Sequence, residues 1–217
     1  CTSPTAELAS AAALLSFDFS EDDGVSVWAP ALLYGEEYTD GVLQLTTTDF
    51  LQSGSAVIDT PLNLSAKTEF AIDFDAYLGG GSGGEGVSLN VGVLPATYFD
   101  ERGAGAGLTV EFLTGPNRID VWYDEVLRVR RQVAFALRSA AFVGVHVAYA
   151  DDGLRIAFGE HLVTENVSLP GWAPKPSWRI GFGARTGETQ HDYHLIDNLG
   201  VRTGGAYRRV DMAVKVS

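Results

Sequence analysis

Side chains that change character at every second position leave a chain little alternative to a strand with one buried face, and this sequence does so repeatedly. In Phe70-Ala71-Ile72-Asp73-Phe74-Asp75 the bulky apolar residues alternate with small or acidic ones. That period places Phe70, Ile72 and Phe74 on one face and Asp73 and Asp75 on the other. Leu108–Phe112, Val145–Tyr149 and Leu154–Phe158 repeat the pattern, and Trp178–Ala184 sets Trp178, Ile180 and Phe182 against Arg179, Gly181 and Gly183. Ala150-Asp151-Asp152-Gly153 joins two of these runs; Asp-Gly tolerates positive φ and marks a hairpin. Long helical apolar periods are missing. Strands with one wet face need a second sheet over the other. The expectation is an all-β, two-sheet antiparallel β-sandwich with negligible helix. Its core should hold Phe17, Phe19, Phe70, Ile72, Phe74, Val110, Phe112, Val147, Ile156, Ile180 and Phe182.

At 217 residues and 46% hydrophobic composition the chain can fill one large sandwich. Residues 1–201 read as that domain, with 1–13 an extended segment. The stretch 202–217 ends in alternating Val210, Met212, Val214 and Val216, and reads as a C-terminal extension or the start of a following domain in a larger protein. Gly79–Gly86 has linker composition, but apolar strands flank it closely, so a tight loop at a sheet edge is expected.

A net charge of −13 repels a phosphate backbone, which argues against nucleic acid as partner. The lone cysteine, Cys1, rules out an internal disulfide and a zinc constellation. No run of about 18 apolar residues predicts membrane insertion. Ala11–Leu15 is too short, and lacks a basic leader, for a signal peptide.

The order of segments carries a resemblance. Phe17-Asp18-Phe19, then Asp40–Thr46, Gly54–Leu64 and Phe70–Phe74, are followed by Glu85–Val91, the glycine loop Gly103–Leu108, Val110-Glu111-Phe112, and the closing pair Trp178–Gly187 and His194–Asp197. Over residues 15–201 this resembles the legume-lectin branch of the concanavalin A-like (L-type lectin) superfamily. The resemblance implies a jelly-roll sandwich and carbohydrate binding, although fold is not function. It implies a sugar site from three loops: Glu85 and Gly86, where the family has Asp-Gly; Gly105, a backbone N–H without side-chain obstruction; and Thr186, Gly187, Glu188 and His191 within Arg185–Tyr193. Trp122 and Trp172 are candidate aromatic platforms, with packing roles as the alternative.

The departures bear on the metal. The family's strand carries Glu-x-Asp and a long loop supplying Asn, Asp and His; here Glu111 is present but Leu113 stands at the Asp position, and only Thr114–Arg118 precedes Ile119-Asp120-Val121. Pro116 stands where the His would be. One carboxylate does not meet a hard cation's demand for about six or more oxygens, so no metal or other cofactor is expected. Hydrolases share the architecture and need two carboxyls at defined separations. Asp73 and Asp75 fall about 7 Å apart on one face, with Glu69 further along it, but the Glu-x-Asp-x-x-Glu run of laminarinase-like relatives is missing. No catalytic residue is assigned, and His146, His161, His191 and His194 have no nucleophile motif around them.

The reading is therefore a metal-independent, lectin-like recognition or adhesion domain, with a glycan or cell-surface glycoprotein as partner. The alternative is a structural or protein-binding module of an extracellular assembly, in contact with neighbouring domains of the same chain. Asn63-Leu64-Ser65 and Asn166-Val167-Ser168 are glycosylation acceptors, consistent with a secreted or cell-surface location. Asn166, just before Pro170-Gly171-Trp172, is expected in a loop.

Overall fold

A computed structural model describes residues 15–203 apart from 21–23, 30, 36–37, 65–68 and 105. Cys1, the segment 1–13, Gly105, Ser65 and all but the first two residues of the C-terminal extension thus lie outside the described residues. Fifteen strands and no helix occur among the described residues. They are β1 (Leu15–Phe17), β2 (Val25–Trp28), β3 (Leu32–Gly35), β4 (Tyr38–Thr46), β5 (Ser53–Ile58), β6 (Phe70–Gly79), β7 (Gly86–Val93) and β8 (Ala106–Leu113). After these come β9 (Arg118–Tyr123), β10 (Val126–Gln132), β11 (Val143–Ala150), β12 (Gly153–Phe158), β13 (His161–Val167), β14 (Arg179–Arg185) and β15 (Tyr193–Thr203).

Every pairing is antiparallel. One sheet runs β13-β12-β11-β6-β15-β4-β3, with β1 beside the later half of β15; the other runs β10-β9-β8-β7-β14-β5-β2. The alternating faces meet between them. Phe74 from the first sheet lies edge-on to Phe182 and Phe112 of the second, with ring centroids 5.1 and 6.3 Å apart. Ten of the eleven expected core residues are buried; Phe17 is half-buried, because β1 has a single neighbour in its sheet. The Asp-containing hairpin forms with Ala150 opposite Gly153.

Two local expectations change. Gly80–Glu85 is not at a sheet edge: β6 and β7 are interior strands of different sheets, and the segment carries the chain from one to the other. Asn166 lies within β13, not in a loop, where the register with β12 slips between Leu154 and Ile156. It is exposed with φ of 57°, and Asn63, also exposed, has φ of 50°. Asparagine is among the few residues that tolerate this conformation, so both have a backbone reason to be asparagine.

The second sheet's face away from the core is also covered. Leu94–Ala104, between β7 and β8, lies as a strap over it. Leu94 and Phe99 form a small second cluster with Val57, flanked by Trp28 and Ala104. The strap sits on Gly181 and Gly183, where an added Cβ would stand 2.7 Å from Leu94 and 2.5 Å from the Asp100 carbonyl. Polar side chains tie it down: Ser88 Oγ donates to Asp100 O, Asn90 Oδ1 accepts from Ala104 N and Thr109 Oγ1, and Phe99 N donates to Ser55 Oγ.

Charge is buried on the same face. Asp120, fully buried, accepts from Arg130 at 2.9 Å and pairs with Arg118 at 3.0 Å. Glu111, opposite Asp120 and 5% exposed, has no such cation among the described contacts. Burial pushes its carboxyl up to about 7, and the Asp120 and Glu101 carboxylates add to the shift.

Two expectations follow. Phe182→Ala should lower unfolding free energy in chemical denaturation by about 3–5 kcal/mol, the range for emptying a buried aromatic site. For Glu111 the folded pKa lies above its ordinary 4.5, so stability is fully present below pH 4.5 and is lost as pH rises through 7. Glu111→Gln should therefore melt several degrees higher than the parent at pH 8 and together with it at pH 4.

Candidate functional site

At the end of the sandwich where β6, β8 and β14 finish and β7 and β15 begin, three connections form a continuous rim. They are Thr47–Gln52, Gly80–Glu85 and Thr186–Asp192. Backbone bonds join them: Ser82 N donates to His191 O (2.8 Å), Leu51 N to Gly187 O (3.1 Å), and Thr186 N to Gln52 O (2.9 Å). Gly187 N donates to Gln190 O at 2.8 Å, closing the third connection on itself. The Thr186 hydroxyl is 1% exposed; it donates to Asp49 O and accepts from Gln52 N. Gly86 has φ of 139° and lies so near β8 that a Cβ would come 2.2 Å from Phe112 O. Only glycine fits both demands.

Ion pairs stiffen the rim from below. Asp192, fully buried, takes two bonds from Arg138 at 2.6 and 2.8 Å and one from Gly81 N at 2.9 Å. Burial alone would raise this carboxyl, but the Arg138 and Gly81 bonds hold it below the usual range. Arg185 grips Glu101, at the tip of the strap, through two bonds of 2.8 and 2.7 Å, with Glu85 at 3.9 Å. Its guanidinium is held charged, chiefly by Glu101.

His194 is fully buried beneath Gly84. Thr46 Oγ1 has one proton and donates it to Asp192 O at 3.0 Å, so His194 Nδ1 donates to Thr46 Oγ1 at 2.7 Å. Its Nε2 has no partner in the structure. Burial drives the ring's pKa down to about 4, against a smaller opposing pull from Asp192.

The rim brings together Glu85, Gly86, Thr186, Gly187, Glu188 and His191. Glu85 and His191 are part-exposed and Glu188 is exposed, whereas Gly86, Thr186 and Gly187 are buried and shape the backbone. Gly105 lies outside the described residues; its neighbour Ala106 pairs with Val93, at the far end of β7 from Glu85. Trp172 packs at that far end among Tyr149, Tyr123, Phe70 and Trp178, at centroid distances of 4.2, 5.5, 5.9 and 5.5 Å. Trp122 is half-buried over the outer face of β9, beside a hollow of about 280 Å³ that it lines with Arg102, Gly103 and Thr109.

Glu101, Arg138 and Asp192 lack any local pattern marking them as rim supports. Phe50 and Leu51 carry a readable signal, two large apolar residues in a turn-rich stretch, and are 53% and 71% exposed here. The Phe50 ring meets His191 edge-on at 4.6 Å.

Asp73 is engaged by His146 at 2.6 Å and by Arg202, and Asp75 accepts from Asn198 Nδ2 at 2.9 Å. Each of these two carboxylates therefore has a structural partner.

The donors where the resembling family holds its metals do not fit a cation. Leu113 stands two residues after Glu111, where the family has Asp, and β8 turns directly into β9 through Thr114–Asn117. Asn117 Nδ2 donates to Val133 O and Phe135 O, and its Oδ1 accepts from Leu137 N. Its side chain thus holds the next segment in place and does not present an oxygen to a site.

No family model matches the sequence. No curated protein matches it either. Solved structures do. The exoplasmic/lumenal domain of VIP36, in its Ca²⁺/Man₃GlcNAc-bound form, superposes with a TM-score of 0.67 at 16% identity, covering 91% of this chain and 93% of that one. Arcelin-5, a lectin-like defence protein from Phaseolus vulgaris, gives 0.68 at 16% identity, covering 88% and 97%. The Emp47p carbohydrate recognition domain gives 0.64 at 18%, covering 88% and 95%. At these identities the likeness speaks to architecture, and it extends over nearly the whole of each partner: the chain has the L-type, legume-lectin-like β-sandwich fold.

Proposed function

We propose that this chain is a non-enzymatic glycan-recognition domain of the secretory lumen, cell surface or extracellular space, and that it binds without a metal ion. The observation that carries the reading is the convergence on one rim of Glu85 with Gly187, Glu188 and His191, backed by buried ion pairs. Glu85 and Glu188 offer charged acceptors to sugar hydroxyls, and His191 a planar polar edge. Gly86, Thr186 and Gly187 set the backbone that carries them. Two neighbours in fold support the compartment and ligand class, since VIP36 is described as an exoplasmic/lumenal domain with bound mannose saccharides and Emp47p as a carbohydrate recognition domain. The described residues contain no helix long and apolar enough to cross a membrane.

One observation favours a second reading, a structural or protein-binding module. Much of the rim's hydrogen-bonding capacity is already satisfied internally, as at Thr186 and Gly187 N.

Without a metal-ordered loop the rim should bind a single sugar weakly, roughly millimolar to high micromolar. On an array of immobilised glycans the isolated domain should retain a defined subset. Glu85→Gln should weaken that binding at least about tenfold, the value of a hydrogen bond to a charged acceptor. Uniformly blank arrays would favour the structural module. A chelator should leave the melting temperature unchanged, because a metal bound only to the folded state would stabilise it by mass action.

A further inference from the structure

The end of the sandwich opposite the rim holds a hollow of about 520 Å³ between the β9–β10 turn and the segment 171–175. Its lining is apolar at Val93, Tyr123 and Trp178 and charged at Asp124, Glu125 and Lys175. One wall is pinned, since the Tyr123 hydroxyl donates to Gly171 O at 2.9 Å and accepts from Ala173 N at 3.0 Å. The other wall is the two-residue turn Asp124-Glu125, which joins Tyr123 to its partner Val126. Both residues have positive φ, 45° and 62°. Such a turn demands this, and glycine is the usual second residue. Asp124 is fastened to Gly107, donating from its N to Gly107 O at 3.0 Å and accepting from Gly107 N at 3.1 Å. Glu125 is exposed, and among the described contacts no cation pairs with it. An acidic side chain is thus held where glycine would be less strained, and strain of this kind gathers where a ligand is gripped.

The first sheet delivers the chain to the same end. β15 finishes at Thr203, paired with Phe70. The Phe70 ring lies 5.9 Å from Trp172, whose ring is 5.5 Å from both Tyr123 and Trp178 of the hollow. The sequence continues Gly204-Gly205-Ala206-Tyr207-Arg208-Arg209-Val210. Two glycines permit a change of direction. The five residues from Thr203 to Arg208 can span up to about 17 Å, enough to cross two such ring spacings. Composition complements the hollow. Residues 204–217 carry Arg208, Arg209 and Lys215 against the single carboxylate Asp211, in a chain whose net charge is −13, and Tyr207 and Val210 flank the arginines.

We propose that Tyr207–Val210 docks in this hollow on its own chain, with Arg208 and Arg209 against Asp124 and Glu125 and the flanking Tyr207 and Val210 on the apolar lining. Attraction between exposed charges is modest and screened by salt, so apolar and ionic contacts act together and the docking weakens as ionic strength rises. Seated there, the segment lies at the end opposite Glu85 and His191 and leaves the rim uncovered. The proposal does not depend on the glycan-binding reading.

The test uses the full chain with a spin label at Met212→Cys, in a Cys1→Ser background, and reads paramagnetic broadening of backbone amide signals. The amides of Val93, Ala106 and Glu125 should broaden, and those of Glu188 and His191 at the other end should not. Glu125→Arg should abolish the broadening, high salt should reduce it, and adding Arg208→Glu and Arg209→Glu to Glu125→Arg should restore it. Trypsin gives an independent reading, because cleavage follows the population of the undocked segment: cutting after Arg209 should be at least about tenfold faster in Glu125→Arg than in the parent. Glu125 is exposed, so its variants should keep the parent melting temperature. Broadening absent from the hollow, or unchanged by Glu125→Arg, overturns the proposal. Broadening that appears only between a labelled copy and an isotope-enriched second copy assigns the hollow to another molecule and overturns the same-chain occupant.

Discussion

The contact of Phe74 with Phe112 and Phe182 joins the two sheets, and the rest of the molecule depends on where it holds them. Its three rings come from β6, β8 and β14, the strands that run directly into Gly80, Thr114 and Thr186. Phe112 is one residue from the end of β8, and Phe182 three from the end of β14. The clamp that excludes water from the core therefore also fixes the spacing of the rim. Gly86 then lies against the Phe112 carbonyl, so the crossing from one sheet to the other is packed on the clamp itself.

The rim is built like a core and not like a loop. Buried carboxylates at Asp192 and Glu101 have Arg138 and Arg185 as cations. Breaking such a pair by removing one partner is costly, because it strands a buried charge. What remains exposed is a short series of groups on a stiff base. His194 adds a pH limit to that base. Its ring is neutral when folded, so its contribution to stability is present above pH 6.5 and is lost as pH falls toward 4.

Strands whose alternation is uninterrupted were legible from the residues alone, since burial of every second side chain leaves a direct trace at Phe70–Asp75, Leu108–Phe112 and Val145–Tyr149. The short turn at Thr114–Asn117 was legible too. The strap was not. Leu94 and Phe99 bury themselves on a sheet face that the pattern marks as wet, through glycines at 181 and 183 that carry no hydrophobic signal. Nor were the buried ion pairs, because Arg138 and Asp192 stand 54 positions apart and nothing local connects them. Glu85, Glu188 and His191 could be grouped only through the resemblance, which also placed Gly105 with them; Gly105 falls outside the described residues, and its neighbour Ala106 lies at the far end of β7 from Glu85.

The strap also determines the shape of the second sheet's outer face. A sheet left bare on its outer side is a trough in which an extended polymer can lie, touching several strands in succession. Here Leu94–Ala104 roofs the middle of that trough, with Phe99 over Gly181 and Gly183 and Glu101 reaching Arg185 at its end. A polymer cannot thread across β14 and β7 without displacing it. On this face the strap leaves no continuous channel along which an extended chain could lie.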